Sequence, residues 1–133
     1  MRIAGPRLAV AAACLAALLA TAPAASAHQS AKSNGITVTM HIAPDDEPVA
    51  GQPAALIFVS AKRPGWTLRR SSCGCRFRIT DASGASVLDR RFTGRAVTFT
   101  FPRSGAYRVS LSGRLQRGRR SRSFDASFTY RAS

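Results

Sequence analysis

Residues 71–80 read Ser71-Ser72-Cys73-Gly74-Cys75-Arg76-Phe77-Arg78-Ile79-Thr80, and the alternation in this stretch decides the fold class. Cys73, Cys75, Phe77 and Ile79 occupy every second position, with Gly74, Arg76, Arg78 and Thr80 between them. Successive side chains of an extended chain point to opposite faces, so the stretch predicts a strand with one apolar face and one basic face. The apolar face carries both sulfurs.

The same period continues toward the C-terminus. Asp81-Ala82-Ser83-Gly84 is a turn by composition. Ala85–Phe92 and Arg95–Phe101 predict a hairpin around Thr93-Gly94, with Val97, Phe99 and Phe101 inward. Pro102-Arg103-Ser104-Gly105 leads into Ala106–Ser112, where Tyr107, Val109 and Leu111 alternate. The last strand, Ser123–Arg131, sets Phe124, Ala126, Phe128 and Tyr130 on one face, and Gly113–Arg122 before it reads as a basic loop.

Toward the N-terminus, Trp66–Arg70 reads as a short edge strand after the turn Lys62-Arg63-Pro64-Gly65. Ala54–Ala61 is an apolar run of strand length, central or buried on both sides. Ile36–Ile42 alternates cleanly, with Ile36, Val38, Met40 and Ile42 inward and Thr37, Thr39 and His41 outward. His28–Gly35 reads as a mobile arm. Seven or eight short strands, turn signals every eight to twelve residues and no helical period define an all-β chain. The expected body is a single antiparallel β-sandwich over residues 36–133.

Residues 1–27 have a different character. Arg2 and Arg7 precede the apolar run Leu8–Ala20, and Ala25-Ser26-Ala27 supplies small residues for cleavage. This is the pattern of a secretory signal peptide, its apolar run too short to remain as a membrane span. Cleavage after Ala27 removes Cys14, makes His28 the N-terminus and leaves Cys73 and Cys75 as the thiols of an exported, extracytoplasmic protein. Arg2 and Arg7 go with it, so Lys+Arg falls from 20 to 18 against six acids, a net charge of about +12. A surface of that sign attracts anionic envelope polymers or lipid headgroups. Export and the lack of a recognition motif argue against nucleic acid.

Phe101–Val109, Phe-Pro-Arg-Ser-Gly-Ala-Tyr-Arg-Val, resembles the entry to the penultimate strand of immunoglobulin-like sandwiches, where a turn glycine precedes a corner tyrosine. Together with Pro44–Ala54 it is similar to the small exported sandwiches of the YtkA-like and CopC-like kind. The resemblance implies an immunoglobulin-like fold and a copper ion held at an N-terminal histidine, a position that His28 fills here.

Three chemistries remain open at Cys73 and Cys75. Alternate residues of a strand lie about 6.5–7 Å apart, at the edge of disulfide reach unless Gly74 lets the chain pucker. The same spacing suits a soft-metal or redox site for Cu(I), to which Met40 would add a thioether. Two packed thiols are the third reading. His28 offers an imidazole and, once cleaved, an amine; His41 would complete a copper brace if residues 29–35 fold back along the first strand. Asp45-Asp46-Glu47 reads as a solvated turn, and Trp66 as a core or rim aromatic. Arg117, Arg119, Arg120 and Arg122 form the densest basic cluster, suited to forked contact with phosphates and carboxylates. Neither histidine has a serine or acid at triad spacing, and acids are few, so the expectation is a binding or accessory module, not an enzyme.

Overall fold

The computed structural model describes residues 28–68, 74–92, 94 and 96–133. The expected signal segment and Cys73 lie outside the described residues. Those described form strands and turns without a helix: β1 (Gln29–Ser33), β2 (Ile36–Ala43), β3 (Pro53–Arg63), the two-residue β4 (Trp66–Thr67), β5 (Cys75–Thr80), β6 (Ser86–Phe92), β7 (Ala96–Thr100), β8 (Gly105–Arg117) and β9 (Arg120–Ala132). All pairings are antiparallel. One sheet runs β1-β2-β3, with β4 and β7 sharing the far edge of β3; the other runs β6-β5-β8-β9.

Both sheets contribute to one core. Ile36, Val38, Met40 and Ile42 of β2 are fully buried, as are Cys75, Phe77 and Ile79 of β5. Val109 and Leu111 of β8 join them with Phe124, Ala126, Phe128 and Tyr130 of β9. The alternation read from the sequence therefore has its physical cause in two apolar faces sharing one interior. β3 likewise buries Ala54, Leu56 and Phe58 on that side, while its other face is half-buried.

Three expectations are corrected. Residues 28–35 do not form a loose arm over their length: Gln29–Ser33 pairs along β2, from Gln29 opposite Met40 to Ser33 opposite Ile36. β6 and β7 are not a hairpin, because β6 pairs with β5 and β7 with β3, in opposite sheets. Gly113–Arg122 is not a loop: β8 and β9 stay paired to Arg117 opposite Arg120, around a two-residue turn where Gly118 adopts φ +59°. The extended ribbon buries Leu115 and Phe124. Its β9 side is tied to the β1–β2 turn, where Asp125 N–H donates to Ser33 Oγ and Asn34 donates to the Ser123 carbonyl.

Candidate functional site

β1 returns along β2, so the residue before β1 is brought beside the one facing outward after Met40. The rings of His28 and His41 meet edge to face, with centroids 5.1 Å apart. After β2 the chain turns through Pro44 and Asp45 into Asp46, which sits at φ +64°, a left-handed conformation that aspartate tolerates better than most residues. That turn swings the Asp46 carboxylate back, where Oδ1 accepts from the Ile42 N–H and lies 3.0 Å from His41 Nδ1. A carboxylate only accepts, so His41 donates from Nδ1 in this contact.

Asp46 was expected in a solvated turn, yet its side chain is 8 % exposed and that of His41 12 %. The signal missed is that a carboxylate five residues after a strand histidine can close a ring over a proline turn. Asp46 Oδ2 and Tyr130 Oη are buried with no hydrogen-bond partner among the described residues. Burial, and then the Asp46 charge, push the Tyr130 phenol well above its ordinary range. The C-terminus braces the same end of the molecule: Ser133 accepts from the Ala50 N–H and donates to the Pro48 carbonyl.

Among the described residues, no group of three or more His, Cys, Asp and Glu side chains is placed to hold a metal ion. A site at His28 and His41 therefore needs a further donor that is not one of these side chains.

The other expected positions are dispersed. Met40 and Cys75 are both fully buried in the core. The Cys75 sulfur packs beside Gly113 on β8. Arg117 extends its guanidinium over Gly65, and Arg122 Nη1 reaches to 3.5 Å from the Asn34 carbonyl. Arg119 and Arg120 are exposed at the tip of the ribbon. Trp66 is half-buried against the core, with the Arg63 guanidinium 5.9 Å from its ring centre.

Comparisons with protein families, with curated proteins and with solved structures find no match.

Proposed function

We propose that the protein is an exported, non-catalytic binding module that holds one copper ion at its mature N-terminus through His28 and His41. The observation that carries this reading is the meeting of the two rings at 5.1 Å, with Asp46 on Nδ1 of His41. A carboxylate that accepts a hydrogen bond from Nδ1–H fixes the orientation of the ring, as the outer partners of metal-bound histidines do. Cleavage after Ala27 would supply the missing donor, the α-amine of His28. For nitrogen ligands of this kind copper(II) binds ahead of zinc.

The sandwich belongs, in this reading, to the immunoglobulin-like kind. Tyr107, near the start of β8, supports it: its hydroxyl donates to the Arg103 carbonyl and accepts from the Arg103 N–H, four residues upstream, as a corner tyrosine does. In this reading Cys73 and Cys75 form a structural disulfide, a role that the full burial of Cys75 among apolar side chains suits. A soft-metal site built on Met40 and Cys75 would have to open a closed core, and for that reason the histidine pair is preferred.

One preparation tests these points together. The intact mass of the secreted protein should correspond to a chain starting at His28 with two hydrogens missing. Calorimetric titration with Cu(II) should give one tight site, weakened at least 100-fold by His41→Ala and comparably by an alanine inserted before His28. Equal affinity in all three proteins would end the proposal.

A further inference from the structure

The outer face of the β6-β5-β8-β9 sheet carries a feature that the copper site does not use. Opposed residues of an antiparallel pair share a face, so the register fixes which side chains lie together there. Arg91 stands opposite Arg76, and Asp89 opposite Arg78. Across the next pair, Arg78 faces Ser110 and Thr80 faces Arg108. Beyond that, Arg108 faces Thr129 and Ala106 faces Arg131.

Read diagonally, Arg91, Arg76, Arg78, Arg108 and Arg131 make one stripe across all four strands. Its steps are an opposed pair of about 5 Å, one same-strand step of about 7 Å and two diagonals of about 7–8 Å. Arg78, Arg91, Arg108 and Arg131 are exposed, and Arg76 is 39 % exposed at its side chain. Between them the face is low, built of Ser110, Ser112, Ser127 and Thr129.

Asp89 does not cancel the stripe; it organises it. Its carboxylate contacts Arg76 Nε through one oxygen and lies 3.6 Å from Arg78 Nε through the other. An arginine held by Nε still presents the end-on fork of its two Nη groups, the edge that grips phosphate and carboxylate in parallel. Two guanidiniums aligned in advance lose less freedom when an anion arrives. Asp125 stands opposite Ser112, to one side of the stripe.

We infer that this stripe is a docking track for a flexible linear polyanion, a phosphate- or carboxylate-bearing polymer, which lies diagonally across the sheet. Charge complementarity selects the occupant: cations recur at near-regular intervals along one line and are not gathered at a point. The ribbon tip is less suited, because Arg117 and Arg122 turn toward Gly65 and Asn34.

The test compares two variants with the same charge loss, using long-chain inorganic polyphosphate as the probe. Arg76→Gln/Arg78→Gln/Arg91→Gln/Arg108→Gln should weaken binding more than tenfold and flatten log K against log salt by about 3, near 0.7–0.9 per lost contact. Arg117→Gln/Arg119→Gln/Arg120→Gln/Arg122→Gln should change affinity less than threefold. Equal losses in both would mean that only net charge matters and would overturn the track. Tighter binding to phosphatidylglycerol vesicles than to polyphosphate would overturn it in favour of a membrane surface. Should the first variant fail to fold, amide shifts of the wild-type protein decide. With polyphosphate they should move along β5, β8 and β9 at the stripe; movement confined to residues 117–122 contradicts it.

Discussion

A Cβ built on Gly113 would stand 2.7 Å from Phe124 Cζ and 2.8 Å from the Cys75 sulfur, far inside normal contact. Both neighbours are buried, so neither can swing out to solvent. Gly113→Ala should therefore cost about 1–3 kcal/mol, the usual range for overpacking, and lower the melting temperature by roughly 5–15 °C. An unchanged melting curve would show that this part of the interior is looser than described. Residue-level readings succeeded where alternation alone decides burial, as for Cys75, Phe77 and Ile79. They failed at Asp46, because its burial depends on a left-handed turn that hydrophobic period does not encode. The missing side of Gly113 was equally silent: a glycine in a basic stretch reads as a loop until the partner strand is known.

At the scale of elements, turn chemistry makes its own forecast. Asp81 Oδ1 accepts from the Ser83 hydroxyl and from the Ser83 and Ala85 N–H groups. The hydroxyl bond is the main reason its carboxyl titrates below the ordinary range. The Arg76 hydrogen bond does the same for Asp89, with charge from Arg76 and Arg78 adding to it. A carboxylate lowered in the folded state adds stability above its unfolded value, about 3.9, and loses it as pH falls through the lowered folded value. Asp81→Asn/Asp89→Asn should thus flatten the loss of stability below about pH 4, measured by urea midpoints at several pH values. A slope identical to wild type would contradict these contacts. Most strands were legible because an apolar face recurs at period two, and β1, Gln29–Ser33, was not because it has no such face. Partnership was not: a short connection such as that between β6 and β7 is compatible with a hairpin or with a crossing between sheets. The choice rests on the match of β7 to β3. The β8–β9 ribbon was hidden for a related reason, since its arginines obscure the inward position of Leu115.

At the scale of the whole molecule, the work is divided by place. The returning β1 and the turn after β2 bring His28, His41 and Asp46 together, while the arginine stripe lies on the outer face of the other sheet. A shared core holds the two apart, so binding at one is expected to proceed without the other. The copper proposal is the central claim, and the electron paramagnetic resonance spectrum of the Cu(II)-loaded chain starting at His28 tests it most directly. Coupling to imidazole and amine nitrogens should appear in the wild type, and His41→Ala should lose one imidazole from that set. Spectra that are identical for the two proteins, or a wild-type ion with oxygen donors alone, would contradict it.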